Sequence, residues 1–145
     1  MRIALVSCVK SKLDHPTQAK DLYTSPLFRA LREYAEVNSD SWYILSAEHG
    51  LVHPDRVLAP YERTLNKLGK AQRKEWAKSI EAEFESLLPR GTDVVILAGK
   101  RYRENLVPFL RHRGHAVTIP LEGLSFGRQL QYLKNLKRRR PHLGC

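Results

Sequence analysis

Cysteine is scarce. Cys8 and Cys145 are the only two in 145 residues, so a disulfide framework is excluded, and no Cys/His pair has zinc-ligand spacing. Long apolar runs are absent as well, and no segment predicts a membrane span. The apolar stretch 3–8 is short and lacks a small-residue cleavage site after it, so no signal peptide is expected and the reading is a cytoplasmic protein. Glycine-rich cofactor signatures are also missing. The run Ser7-Cys8-Val9-Lys10-Ser11-Lys12 sits where a phosphate loop would sit but lacks the flanking glycines, and there is no G-x-G-x-x-G. No cofactor is expected, neither ATP nor NAD. No metal is expected either: His49 and His53 have helical spacing, but Gly50 and Pro54 oppose a helix there.

Acidic residues thin out along the chain. Residues 1–99 hold 14 Lys/Arg against 13 Asp/Glu, whereas residues 100–145 hold 11 against 2. Nearly all of the formal net charge of +10 therefore belongs to the last third. Such one-signed charge repels itself unless a polyanion relieves it, and phosphate backbones suit arginine well. A nucleic-acid partner is expected, held through Lys100, Arg101, Arg103, Arg128, Arg138 and Arg139. The plain alternative is a solvated basic surface.

Hydrophobic patterning predicts strands over 2–8, 42–46, 93–98 and 115–119. Between them lie helical patterns: one from Ser25 onward with Leu27, Leu31, Tyr34 and Ala35 inward, and one over 67–88 with Trp76, Ile80, Phe84 and Leu87 inward. Two more cover 101–113 and 125–138. Residues 9–24 and 47–66 read as loops, the second long enough to suggest function. Strands alternating with helices predict an α/β fold: three layers, a mostly parallel four-stranded sheet, helices on both faces. Length fits one domain, residues 1–137, with a basic tail over 138–145.

Ligands of such sheets bind at the carboxyl ends of the strands. The first end offers Ser7, Cys8, Lys10 and Lys12, with lysines suited to phosphate or base contact. Just before the first helix come Asp21, Tyr23 and Ser25, where a carboxylate could activate water and a ring could stack on a base. Next is Ser46-Ala47-Glu48-His49-Gly50, a carboxylate beside an imidazole, the commonest equipment for proton transfer. Tyr61 and Glu122 could close over a bound base. Each has a bland reading too, as core, turn or solvated charge.

The pattern Cys8…Lys12-Leu13…Pro16…Ala19-Lys20-Asp21-Leu22-Tyr23…Ser25…Leu27-Phe28, then Ile44-Leu45-Ser46-Ala47…Gly50-Leu51-Val52…Ala59-Pro60-Tyr61, resembles a small bacterial and phage domain family of previously unassigned function. Its opening Cys…Lys motif is similar to YaaA-like proteins and to deazaguanine base-exchange domains. The resemblance implies chemistry on nucleobases, as in DNA glycosylases directed at unusual, phage-type bases. In the resembling family position 48 is often basic and 49 often aromatic. Glu48-His49 departs from that, which moves the catalytic expectation toward Lys12 and Asp21, with Ser46 and Tyr61 lining the pocket.

The resulting expectation is a DNA glycosylase in anti-phage defence. The basic third grips the backbone and the target nucleotide flips into the strand-end pocket. Asp21 or Glu48 acts near the sugar; Lys12 and His49 donate to the departing base. The protein is expected to act on DNA rather than RNA, away from membranes, as a monomer or weak dimer. The alternative is a non-enzymatic nucleic-acid-binding module of stress or defence. An enzyme of free nucleotides leaves the basic surface unexplained.

Overall fold

Strands buried on both faces must be apolar throughout, and the run Ile3–Val6 is fully buried. It forms the centre of a five-stranded sheet in a computed structural model that describes residues 1–7, 12–62 and 64–139. The strands are β1 (Arg2–Ser7), β3 (Ser41–Ser46), β4 (Gly50–Val52), β6 (Asp93–Leu97) and β7 (Val117–Thr118), in the order β4-β3-β1-β6-β7. All neighbours are parallel except β4, which returns antiparallel to β3. Two further strands, β2 (Thr17–Gln18) and β5 (Val57–Leu58), make a separate antiparallel ladder.

The helices are α1 (Ala19–Leu22), α2 (Pro26–Asn38), α3 (Lys70–Leu87), α4 (Lys100–Arg103), α5 (Leu106–His112) and α6 (Phe126–Arg139). Side chains alternate across the sheet. Ala4, Val6 and Ile44 join α1, α2 and the Leu133 side of α6 in one core; Ile3, Leu5 and Leu45 join α3, Tyr102 of α4 and α5 in the other. This gives the expected three layers.

The strand count is a correction: the sheet has five strands rather than four. Residues 47–66, read as loop, contain β4 and β5, and residues 9–24 contain β2 and α1. These pieces are two to four residues long, too short for periodicity to register. The helix expected over 101–113 is broken between Arg103 and Leu106. Pro108 explains the break: inside one continuous helix it would lack an amide for residue 104 and clash with that carbonyl, whereas in the first turn of α5 it is tolerated. On α3 the buried face is Arg73, Ala77, Ile80 and Phe84, while Leu87, expected inward, is 38% exposed.

The start of α2 forms as expected. Ser25 Oγ accepts the Leu27 amide at 3.1 Å, with Pro26 in the first turn. Helix α6 runs to Arg139, past the point where a tail was expected to begin. No helix among the described residues is long and apolar enough to cross a membrane.

Candidate active site

The chain adds its second parallel strand, β3, on one side of β1 and its third, β6, on the other. The crossovers from β1 and β6 therefore diverge, and a crevice opens at the carboxyl ends of these two strands. A cavity of about 280 Å³ lies there. Ser7 ends β1, Ala98 and Gly99 follow β6, and Arg103 and Gln129 reach it from α4 and α6. Its apolar walls include Leu27 and Leu31 of α2 with Leu97 and Leu121.

At the adjacent strand end a hydroxyl chain is assembled. Ser46, the last residue of β3, is 0% exposed. Its Oγ accepts the His49 amide at 3.0 Å and donates to the Tyr61 hydroxyl at 2.9 Å. Tyr61 Oη in turn lies 2.5 Å from Tyr23 Oη. Lys12 pairs with Tyr23 in an isolated antiparallel bridge, which carries its ammonium 4.6 Å from the Tyr61 ring centre and 5.6 Å from that of Tyr23. A cation over an aromatic face is attracted by about 0.5–2 kcal/mol. The His49 ring meets Tyr61 edge-on at 5.3 Å. Trp76 of α3 fixes the floor by donating its indole N–H to the Ser46 carbonyl at 2.8 Å. Ser46 and Ser7 end neighbouring strands, because Ser7 is in register with Leu45.

Five expected site residues thus meet: Lys12, Tyr23, Ser46, His49 and Tyr61. Ser7 lines the neighbouring cavity. Tyr23 is 2% exposed and packed on Phe28, so its hydroxyl rather than its ring face is what it contributes. Ser25 is spent on capping α2. Asp21 is turned to Arg32, whose guanidinium donates to it at 2.8 Å, and no described contact joins it to Lys12. Arg32 has its pKa set by burial, which lowers it, and by Asp21 and Glu36, whose combined effect is larger and raises it. Glu48 is exposed in the turn between Ser46 and Gly50. Cys8 and Lys10 lie outside the described residues.

The basic residues divide between the two ends of the sheet. Lys100 and Arg101 are exposed on α4 beside Gly99, Arg103 lines the cavity, and exposed Arg128 precedes the lining Gln129. Arg103 donates to the Ala98 carbonyl at 2.8 Å, with Glu122 3.9 Å away. Arg113 sits at the opposite end, ion-paired to Glu85, near His115, whose Nδ1 is 3.1 Å from the Thr92 carbonyl. The backbones of Arg138 and Arg139 belong to α6; their side chains lie outside the described residues.

Sequence reasoning missed Gln129 and Asn66, both of which line the cavity. The first left a signal, a lone amide on the inward face of an amphipathic helix. Among the described residues no group of three His, Cys, Asp or Glu could hold a metal ion. His53 is set edge-on to Tyr43 at 6.0 Å, whereas His49 faces Tyr61.

A model described as Family of unknown function (DUF6884) matches residues 3–135. The uncharacterized protein YfjM of Bacillus subtilis (strain 168) is 28% identical over 150 residues, spanning 91% of this chain and 92% of that protein. No solved structure matches the chain. Neither similarity brings an activity with it.

Proposed function

The chain belongs to the DUF6884 family, and we propose that it is an N-glycosidase that removes a modified nucleobase from DNA. The observation that supports this most is a small, apolar-walled cavity lined by Arg103, for which exposed Lys100, Arg101 and Arg128, each next in the chain to a lining residue, would form a cationic rim. A phosphate backbone lying along that rim would bring an extruded nucleotide to the cavity mouth. The resemblance of the Cys…Lys motif to YaaA-like and base-exchange proteins points to the same chemistry.

Excision breaks the bond between C1′ and the base nitrogen while water adds to C1′. One water proton passes to a carboxylate, and the departing base takes a proton from a donor. Glu48 is the carboxylate best suited, since Asp21 is engaged by Arg32. Lys12, whose ammonium lies over the Tyr61 ring at the adjacent strand end, is the donor we assign to the departing base. Donors aimed at a developing anion typically contribute about 10²–10³ in rate each.

The test is incubation with DNA carrying a panel of modified bases, followed by alkali to cut abasic sites and mass spectrometry of the released base. Base release that falls about 100-fold in Lys12→Met and Glu48→Gln, with both variants folded, supports the reading. Salt-sensitive DNA binding without base release across the panel would replace it with a binding module.

A further inference from the structure

We propose that the cavity holds a phosphate group between Ser7 and Arg103; that a nucleotide carries this phosphate rests on the excision reading. The strand register brings the two residues together. Val6 of β1 is paired with Leu97 of β6, so the next residues, Ser7 and Ala98, stand side by side about 4.8 Å apart. The Ala98 carbonyl accepts from Arg103 Nη1 at 2.8 Å, which holds the guanidinium at the same strand ends. Ser7, Ala98 and Arg103 all line the cavity. Ser7 is 9% exposed, and its hydroxyl takes part in no hydrogen bond among the described residues. It is not sealed off either. Among the described residues every fully buried polar side-chain atom has a partner, so a hydroxyl without one opens onto the space that its residue lines.

Arg103 has donors to spare. Its bond to Ala98 occupies one N–H of a fork that suits an oxyanion. Its Nη2 is 3.9 Å from Glu122, beyond hydrogen-bond length, and that carboxylate is 64% exposed against 18% for the arginine. A phosphate fits this pair better than a neutral group, because it brings the negative charge that a distant, solvated Glu122 supplies poorly. It also fits better than a carboxylate. A carboxylate is filled by the fork alone, whereas a phosphate keeps a further oxygen for the Ser7 hydroxyl. Exposed Lys100 and Arg101, on the same helix as Arg103, add positive potential.

The experiment is titration of the full chain with thymidine, thymidine 5′-monophosphate and the methyl phosphodiester of the latter, followed by amide chemical shifts. The three share sugar and base and differ only at the phosphate. Both phosphates should bind at least about tenfold more tightly than the nucleoside, the scale of a hydrogen bond to a charged group. Preference for the diester marks a backbone phosphate and preference for the monoester a free nucleotide; either supports the subsite. Ser7→Ala removes a hydroxyl that bonds nothing in the folded chain among the described residues, so it should weaken both phosphates about tenfold and leave thymidine unchanged. In Arg103→Met, checked for an intact fold by its thermal melt, the three affinities should converge to within about twofold. Equal binding of all three by the wild-type chain overturns the proposal, as does failure of all three to bind or a phosphate preference undiminished in Ser7→Ala. Base release from DNA that proceeds as fast in both variants as in the wild type would sink the subsite and leave the excision reading standing. Phosphate-selective binding without any base release would do the reverse.

Discussion

Replacing Ser46 by alanine removes a single hydroxyl, yet that hydroxyl serves two partners in a place water does not reach. Ser46 is 0% exposed, donates to Tyr61 Oη at 2.9 Å and accepts from the His49 amide at 3.0 Å. Stranding a buried donor costs about 1–3 kcal/mol, and the lost bond to Tyr61 adds about 0.5–1.5 kcal/mol. Ser46→Ala should therefore lose about 2–3 kcal/mol, and Tyr61→Phe, whose side chain is only half-buried, about 1–2 kcal/mol. The two share one bond, so the double variant should cost less than the sum by about 0.5–1.5 kcal/mol. Urea unfolding read by tryptophan fluorescence measures this cycle, and Trp76, bonded to the Ser46 carbonyl, reports on the spot itself. In a thermal melt the Ser46→Ala loss corresponds to roughly 5–10 °C for a chain of this size. Additivity within about 0.3 kcal/mol, or a Ser46→Ala cost below about 0.5 kcal/mol, would refute the hydroxyl chain as a coupled unit.

Arg73→Met should destabilise by about 2–4 kcal/mol in chemical denaturation, because it strips donors from Glu104 and from the Leu68 carbonyl in a largely buried setting; adding Glu104→Gln should recover part of the loss. Gly50→Ala should cost about 1–2 kcal/mol through its backbone alone, since φ is +74° while an added Cβ meets nothing nearer than Glu83 Oε1 at 3.7 Å; a loss below about 0.3 kcal/mol would count against that conformation. Burial raises the Glu83 carboxyl above its ordinary value of 4.5, with Arg56 opposing. The folded chain thus holds this proton more tightly than the unfolded one, and stability is lost as pH rises through the folded pKa. Glu83→Gln should accordingly raise the melting temperature at neutral pH, with the gain shrinking as pH falls toward 4.5 and level below it; a gain independent of pH would contradict the cause assigned.

Much of the fold was written locally. The apolar runs at 3–6 and 94–97 mark strands buried on both faces, and Ser25-Pro26 marks the start of α2. The pieces that escaped notice gain stability from distant partners: β2 pairs with β5, forty residues along, and β4 is held as a hairpin edge. The candidate site was legible as a set of strand ends, but membership was not. Asp21 and Glu48 looked alike as carboxylates near a strand end. Only the chain's path shows Asp21 set against Arg32, eleven positions away. Gln129 carried a signal in its inward position, yet the tie to the Leu124 carbonyl that orients it depends on a turn no periodicity reveals.

Hydrophobic spacing along the chain settled the alternation of strands and helices and the burial of the sheet between two helical layers, and the order of charged residues placed the positive charge in the last third. Tertiary structure alone decided that Tyr23, Ser46 and Tyr61 share hydrogen bonds and that the charge divides between two ends of the molecule. The reason is one of range. Periodicity is a property of a short window and survives in the linear order. Contact between residues dozens of positions apart depends on strand register and on which side of β1 each crossover lands, and no single window contains either.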